Sequence, residues 1–188
     1  MGKEILRQEY ILKRKTLTDL EKQEQSSLIA EKLFSLDIYK KAKTVMFYVS
    51  LDDEVKTIDM IQKAFSSKKV LIPKTNLKTK TMDAVEMTFE TKLVKTRLNT
   101  LEAENGKIIP KNEIDLVIIP AVAFDFWGHR IGYGQGYYDR FCKDIGAAKI
   151  GLAYDIQLTE QIPVESHDIK VDMILTDKRI IKYQKDAD

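Results

Sequence analysis

The residues best suited to chemistry lie in one glycine-rich segment. Six of the chain's eight glycines fall between Gly128 and Gly151, and three of them form the run Gly132-Tyr133-Gly134-Gln135-Gly136. Glycines let backbone N–H groups approach phosphate oxygens, so this run predicts a nucleotide-binding loop. Its spacing matches neither the Walker pattern nor Gly-x-Gly-x-x-Gly. A tight turn without a ligand is the alternative, because glycine is the default residue wherever φ is positive.

Charged side chains flank this glycine run. Arg130 precedes it, and Asp139 falls in the first turn of the helix that we expect after it. A guanidinium suits phosphate contact and a carboxylate suits Mg²⁺ beside a polyphosphate. The alternatives are a surface arginine and an acid favoured by the helix dipole by ~0.3–1 kcal/mol. With one cysteine and two separated histidines, any metal must be held mainly by oxygen, which points to Mg²⁺.

Two helices are predicted at the amino terminus, over residues 3–15 and 19–36. Both segments lack Gly and Pro and carry apolar residues at helical spacing. Thr18 and Glu21 fit a capping box that starts the second helix. The basic run Lys13-Arg14-Lys15 is expected on a solvated face of the first helix.

Farther along the chain, strands alternate with helices. Strands are predicted at 44–49, 70–73, 84–89, 115–124, 149–154, 172–175 and 179–183, helices at 57–65 and 137–145, and a loop-rich stretch at 99–111. The run 115–124 is apolar on both faces, which predicts the central strand of a covered parallel sheet. The pattern predicts an α/β fold, a single-domain three-layer sandwich over residues 1–188 with a mainly parallel, Rossmann-like sheet. Ligands lodge where such a strand leads into a glycine loop and a helix.

Composition excludes several classes of protein. Thirty-one Lys and Arg residues against 29 Asp and Glu leave a net charge of +2, which argues against nucleic acid or a membrane surface as the main partner. The longest apolar run, 116–124, is far shorter than the ~20 residues of a membrane-spanning helix. The charged first residues lack an apolar signal core, which predicts a cytoplasmic protein. We expect a monomer that takes small-molecule substrates.

Several motifs together resemble one family. The segment Ala123–Phe141, in which the glycine run is followed by Tyr137-Tyr138-Asp139-Arg140-Phe141, is similar to the signature of the 5-formyltetrahydrofolate cyclo-ligase family, also called methenyltetrahydrofolate synthetase. Further likenesses are Lys3-Glu4-Ile5-Leu6-Arg7 to its amino-terminal motif, Val49–Thr57 to its folate-side loop, and His167–Asp172 to its carboxy-terminal motif. Two residues depart from the pattern: Gln135 stands where relatives often carry Gly or Lys, and Trp127 is unusual in its turn.

The resemblance implies an ATP- and Mg²⁺-dependent cyclisation of 5-formyltetrahydrofolate to 5,10-methenyltetrahydrofolate, which releases ADP and phosphate through a phosphorylated formyl group. It implies ATP binding by Lys3, Glu4, Ile5, Leu6, Arg7, Arg130, Ile131, Gly132, Tyr133, Gly134, Gln135, Gly136, Tyr137 and Tyr138. It implies folate binding by Val49, Glu54, Tyr133, Gly134, Gln135, Gly136 and Tyr137. Asp139 and Asp168 are implied as Mg²⁺ ligands, and Arg130, Tyr137 and Asp139 as catalytic residues.

Some of these residues have a simpler interpretation without the resemblance. Glu54 would be a solvated loop acid, whereas the resemblance implies that it accepts hydrogen bonds from the pterin's N–H groups. Asp168 would be a solvated loop carboxylate, and Cys142 is expected to be a buried, small apolar residue. A non-catalytic nucleotide- or folate-binding protein on the same fold is the alternative function. Retention of both Asp139 and Asp168 argues against that alternative.

Overall fold

The amino-terminal helices begin and end close to the predicted residues. In the computed structural model, which describes residues 2–183, α1 spans Lys3–Lys15 and α2 spans Asp19–Ser35. The Glu21 N–H donates to Thr18 Oγ1 at 3.2 Å, and the Thr18 N–H donates to Glu21 Oε2 at 2.7 Å. The capping box is therefore confirmed.

The remaining elements alternate as the pattern predicted, with several short strands added. In chain order they are α3 (Asp37–Lys41), β1 (Thr44–Met46), α4 (Ile58–Ala64), β2 (Lys69–Asn76), β3 (Thr81–Met87), β4 (Leu93–Lys95), β5 (Leu101–Ala103), β6 (Ile108–Ile109), β7 (Leu116–Pro120), β8 (Ala123–Asp125), β9 (Arg130–Ile131), α5 (Tyr137–Cys142), β10 (Ala148–Leu152), β11 (Leu158–Thr159), β12 (Met173–Leu175) and β13 (Ile180–Lys182). Short 3-10 turns lie at Lys111–Glu113 and Asp155–Gln157.

An eight-stranded sheet organises the chain, in the order β13-β12-β10-β7-β1-β2-β3-β6. The five strands from β12 to β2 are parallel to their neighbours, and β13, β3 and β6 add antiparallel edges. From β1 the chain continues to β2 on one side, and from β7 to β10 on the other. The strand order therefore reverses between β1 and β7, which makes their carboxyl ends the switch point where ligands bind in such sheets.

Helices cover both faces of this sheet. Along β7, Leu116 and Ile118 pack into one apolar cluster with α2 and α4, whereas Val117 and Ile119 pack into a second cluster with α5. Side chains of a strand alternate between faces, so the uninterrupted apolar run reflects burial on both sides. The predicted three-layer α/β fold with a mainly parallel sheet and an interior β7 is confirmed.

The prediction of one strand over 115–124 is wrong. β7 ends at Pro120, and β8 belongs to a separate three-stranded sheet with β9 and β11. Proline has no N–H to continue a ladder. Between the two strands, the carbonyls of Ala121 and Val122 accept hydrogen bonds from Gln157 Nε2 at 2.9 and 3.0 Å instead.

Further bounds differ from the prediction. β1 ends at Met46 and not at residue 49, and β2 extends to Asn76 and does not end at residue 73. The helix expected over 137–145 is α5, which ends at Cys142, because the Ile145 N–H bonds back to the Cys142 carbonyl in a tight turn. The loop-rich stretch 99–111 contains two short strands: β5 pairs with β4, and β6 pairs with β3. Strands of only two or three residues form because distant segments pair with them, so their own sequence carries little alternation of apolar and polar residues.

Cys142 lies inside the molecule, as predicted. Its side chain is buried in the second cluster, and burial raises the pKa of its thiol to about 11.

None of the helices within residues 2–183 is long and apolar enough to cross a membrane.

Candidate functional site

Two segments with predicted site residues leave the strands at the switch point. The loop that carries Glu54 follows β1, and the β8–β9 hairpin with the glycine run follows β7. Because β1 and β7 are parallel neighbours, both segments begin at the same edge of the sheet. The glycine run follows the central strand along the chain, with β8 and β9 between them, and leads directly into α5, whose N-cap is Gly136.

The glycine run is held from both sides by arginines. Gly134 and Gly136 adopt left-handed φ values of 86° and 65°, a region that other residues enter at a cost. Arg7 of α1 donates from Nε to the Gly132 carbonyl at 2.8 Å. Arg140 of α5 donates from Nη2 to the Gln135 carbonyl at 2.7 Å. The loop conformation therefore depends on the docking of α1 and α5.

Two residues with implied catalytic roles form a buried ion pair. Arg130 Nη2 lies 2.9 Å from Asp139 Oδ1, and the two side chains are 5% and 15% exposed. The Ile169 N–H points to the same Asp139 oxygen at 3.4 Å. Arg130 Nε is buried and has no hydrogen-bond partner among residues 2–183. The two charges therefore neutralise each other, and the Nε–H of the guanidinium remains an unused donor within residues 2–183.

Asp168 is neither solvated nor unpaired. Lys3 Nζ lies 2.6 Å from Asp168 Oδ2 and 3.6 Å from Glu165, and the Glu165 N–H donates to Asp168 Oδ2 at 2.7 Å. Partial burial acts to raise the pKa of Asp168, but the Lys3 and Glu165 hydrogen bonds hold it below the ordinary value of 3.8. This carboxylate therefore anchors the start of α1.

One backbone contact connects the two implied Mg²⁺ ligands. Asp139 accepts a hydrogen bond from the Ile169 N–H, one residue beyond Asp168. Within the described part of the chain, no hydrogen bond reaches Oδ2 of Asp139 or Oδ1 of Asp168. His167 Nε2 lies 3.9 Å from Oδ1 of Asp168. Carboxylate oxygens are the hard donors that Mg²⁺ prefers, so the two residues fit the ion by their chemistry. Ligand atoms of Glu165, His167 and Asp168 also lie within 4.8 Å of one another.

Glu54 is buried, so the interpretation as a solvated loop acid is wrong. It is 6% exposed; its Oε2 accepts from the Leu51 N–H at 2.9 Å, and its backbone carbonyl accepts from Tyr154 Oη at 2.8 Å. Burial raises the pKa of Glu54 from 4.5 to about 7, while the Leu51 N–H and the charge of Arg14 oppose the rise. The carboxyl group of Glu54 therefore has a pKa close to neutral pH.

The prediction that Arg14 lies on a solvated face is also wrong. Arg14 is 0% exposed, and its Nη2 donates to Asp53 Oδ2 at 2.7 Å and to Tyr133 Oη at 2.6 Å. Leu6, Tyr10 and Arg14 are all buried and lie four residues apart, on one face of α1. In the sequence, the four-residue spacing from Leu6 and Tyr10 distinguishes Arg14 from the neighbouring Lys13 and Lys15.

The remaining residues of the amino-terminal motif divide between core and surface. Leu6 and Ile131 pack with Tyr10 and Val122 in a third apolar cluster, which docks α1 on the β8–β9 hairpin. Ile5 is 59% exposed, and the exposed Glu4 forms an ion pair with Arg7. Leu6 and Ile131 therefore position the site and do not face it.

The other aromatic and folate-side residues lie between the loop and the core. Tyr137 lies 5.5 Å below the Arg140 guanidinium, and Tyr138 packs between both main clusters. The Tyr138 hydroxyl is buried without a partner in residues 2–183, and burial raises its pKa. Val49 is buried in the first cluster.

Sequence reasoning missed a structural role for Asp125. Its fully buried carboxylate accepts from the Trp127, His129 and Ile162 N–H groups and lies 2.9 Å from His129 Nδ1. These bonds fix the turn between β8 and β9 and thereby the start of the glycine run. A cavity of about 360 Å³ borders this turn, lined by Asp125, Trp127, His129, Gln161, Ile162, Val164 and Lys170.

Comparisons with known proteins agree on one family. The chain matches the model of the 5-formyltetrahydrofolate cyclo-ligase family over residues 1–177. It is 30% identical over 184 residues to the 5-formyltetrahydrofolate cyclo-ligase of Mus musculus, with 90% of this chain and 91% of that protein covered. It is 30% identical over 182 residues to the protein of that name from Escherichia coli K12, covering 91% and 98%.

Two solved structures share the fold. The NMR structure of Aquifex aeolicus 5,10-methenyltetrahydrofolate synthetase superposes with a TM-score of 0.88 at 29% identity, covering 100% of this chain and 96% of that one. A 5,10-methenyltetrahydrofolate synthetase from Mycoplasma pneumoniae superposes with a TM-score of 0.78 at 25% identity, covering 94% and 99%. The likeness in sequence therefore covers about nine-tenths of the chain, and the likeness in structure covers 94–100% of it.

Proposed function

Because the chain belongs to the 5-formyltetrahydrofolate cyclo-ligase family, we infer that it cyclises 5-formyltetrahydrofolate to 5,10-methenyltetrahydrofolate with ATP as co-substrate. The observation that carries this inference is the family match over residues 1–177, which includes the glycine run, Glu54 and both aspartates. We further propose roles for individual residues of the site, supported by the geometry around the switch point.

The reaction needs the formyl oxygen to be made into a leaving group. The N5 formyl group is an amide, and attack by N10 alone would have to expel oxide or hydroxide. We propose that the formyl oxygen attacks the γ-phosphorus of ATP and ADP leaves. N10 then attacks the formyl carbon and loses its proton, and phosphate departs with the oxygen. Phosphoryl transfer asks the protein for positioning and charge neutralisation and not for a covalent nucleophile.

Three cations line the proposed phosphate side of the site. Lys3, Arg7 and Arg130 are engaged with Asp168, the Gly132 carbonyl and Asp139. We propose that they turn part of their donors to the triphosphate when ATP binds, together with backbone N–H groups of the glycine run. Arg130 suits this role because its buried Nε has no partner within residues 2–183.

We propose that Asp139 and Asp168 hold Mg²⁺. A bound ion would neutralise the charge that develops on the phosphate oxygens during transfer. Asp139 and Asp168 would supply oxygen ligands to it, and Arg130 and Lys3 hold those carboxylates in place.

On the folate side, we propose that Glu54 accepts hydrogen bonds from the pterin's N–H groups. The Leu51 N–H uses only Oε2 of Glu54, which leaves Oε1 for the ligand. Tyr133 to Tyr137 would face the folate from the glycine run. In this arrangement the formyl group lies between the Glu54 loop and the phosphates, as the transfer requires.

The test is an assay of methenyltetrahydrofolate formation by absorbance, with ATP, Mg²⁺ and 5-formyltetrahydrofolate each omitted in turn. We expect product only with all three, and ATP consumption only when the folate is present. Binding of both ligands without product would instead assign a non-catalytic binding protein.

We also propose that the protein is a cytoplasmic monomer. Sedimentation of the purified chain would test its oligomeric state, and fractionation of the producing cells would test its location.

A further inference from the structure

We propose that Arg14 is a positioning residue for folate binding, which holds the glycine run and the Glu54 loop together so that Tyr133 and Glu54 face one ligand. The inference deepens the proposed function and rests on it. Nothing in the family resemblance of the amino-terminal motif, which ends at Arg7, includes this residue.

The Arg14 guanidinium joins three segments of the site. Its Nη2 donates to Asp53, the residue before Glu54, at 2.7 Å and to the Tyr133 hydroxyl at 2.6 Å. Its Nη1 lies 3.4 Å from the carbonyl of Ala121, just beyond the carboxyl end of β7. One side chain of α1 therefore connects the folate-side loop, the glycine run and the edge of the central strand.

Stability alone does not account for a guanidinium at this position. Arg14 is 0% exposed, and Nε has no partner within the described residues. Burying an ion pair costs desolvation energy that its attraction only partly offsets, so an apolar side chain would fill the same space at least as well. An apolar side chain could not hold two loops in a planar donor geometry. The buried charge is thus suited to positioning.

Arg14 also acts on the charge of Glu54. The charged groups that act on Glu54 are Arg14, Asp53 and Lys56. Four tyrosine hydroxyls also interact with it, those of Tyr48, Tyr133, Tyr138 and Tyr154. Burial raises the pKa of each of these tyrosines, so they are neutral near pH 7. Arg14 therefore favours the carboxylate form of Glu54, which is the form that accepts hydrogen bonds from a pterin.

The test compares Arg14→Lys with Lys13→Met, a control on the same helix whose side chain is 44% exposed and pairs with Glu9. In Arg14→Lys we expect the KM for 5-formyltetrahydrofolate to rise about tenfold, since an ammonium cannot hold both loops. We expect the KM for ATP to change less than about twofold, and Lys13→Met to change neither. Equal losses for both substrates, or a lower melting temperature with an unchanged folate KM, would overturn the inference.

A second variant decides the matter if Arg14→Lys does not fold. Tyr133→Phe removes the hydroxyl that Arg14 binds and keeps the ring, and we expect a rise of about threefold in folate KM. Where Arg14→Lys does fold, the double variant should be no worse than Arg14→Lys, because both changes break the same contact. Independent, multiplying effects would contradict the proposal. A wild-type protein that forms no product would refute the proposed function, whereas an active wild type with an unaffected Tyr133→Phe refutes only this inference.

Discussion

Glu54 is the residue at which burial matters most for recognition. We predict that Glu54→Gln raises the KM for 5-formyltetrahydrofolate by roughly ten- to a hundredfold, because the amide presents donors where the pterin already donates, and hydrogen bonds to a charged group contribute ~1.5–3 kcal/mol each. The KM for ATP should hardly change. Separate titrations of the two substrates measure this, and unaltered folate kinetics would contradict it.

The raised pKa of Glu54 predicts opposite pH effects on folding and on binding. The folded protein keeps a proton on Glu54 that the unfolded chain releases between its pKa of 4.5 and the folded value of about 7. The stabilisation from this group is therefore complete below pH 4.5 and is lost as pH rises through about 7. Folate binding to the carboxylate should strengthen over the upper part of that range. Both trends should vanish in Glu54→Gln, which denaturation and calorimetry at several pH values would show.

Asp139 should matter for both catalysis and stability. We predict that Asp139→Asn lowers kcat at least about a hundredfold, because a proposed metal ligand is lost. Arg130 also loses its counter-charge inside the protein, so the free energy of unfolding should fall, by less than the ~3–5 kcal/mol that follows removal of one partner of a buried pair. Steady-state kinetics and urea denaturation measure the two effects.

Asp37→Asn is the matched control for Asp139→Asn. Asp37 also lies in the first turn of a helix, but it is 86% exposed and lies 3.9 Å from Lys40. Neither turnover nor stability should change in that variant. Near-normal turnover of Asp139→Asn would rule out the metal role.

At the scale of elements, α1 connects the core to the proposed phosphate site. Its buried face carries Leu6, Tyr10 and Arg14, and its first turns carry Lys3 and Arg7. Deleting residues 1–7 would therefore remove Leu6 from its apolar cluster and damage docking together with any phosphate contact. Point variants separate the two effects.

We predict that Lys3→Met and Arg7→Met each raise the KM for ATP by about three- to tenfold, because charge-assisted hydrogen bonds to phosphate are lost. The KM for the folate should stay within about twofold. Lys15→Met, an exposed position on the same helix, is the control and should have normal kinetics. Equal losses for both substrates would show that these cations support the fold and do not contact ATP.

At the scale of the whole molecule, the two larger sheets meet where Phe124 of β8 lies against Gly151 of β10. A Cβ on Gly151 would overlap the Phe124 ring, whereas a Cβ on Gly146 would meet nothing within 4 Å. We predict that Gly151→Ala destabilises the protein by about 1–3 kcal/mol through overpacking, a fall in melting temperature of roughly 2–12 °C. Gly146→Ala should melt like the wild type. Equal melting of both variants would mean that the sheets do not pack here.

Local patterns determined much of this protein in advance. The first helix, the start of the second helix at its capping box, the α/β class and the interior strand all follow from spacing and from neighbouring residues. The glycine run and the motifs around it were enough to indicate the family. These features depend on interactions between residues a few positions apart, which the order of the sequence displays directly.

Only the tertiary structure decided which charges are buried and what they pair with. Lys3 binds Asp168 across 165 residues, and Arg14 binds Tyr133 across 119. The separation of β7 from β8 likewise depends on Gln157, which satisfies the carbonyls between them from 36 residues away. Whether a charge is solvated or paired is fixed by the groups that folding brings beside it, and a single sequence does not display those neighbours.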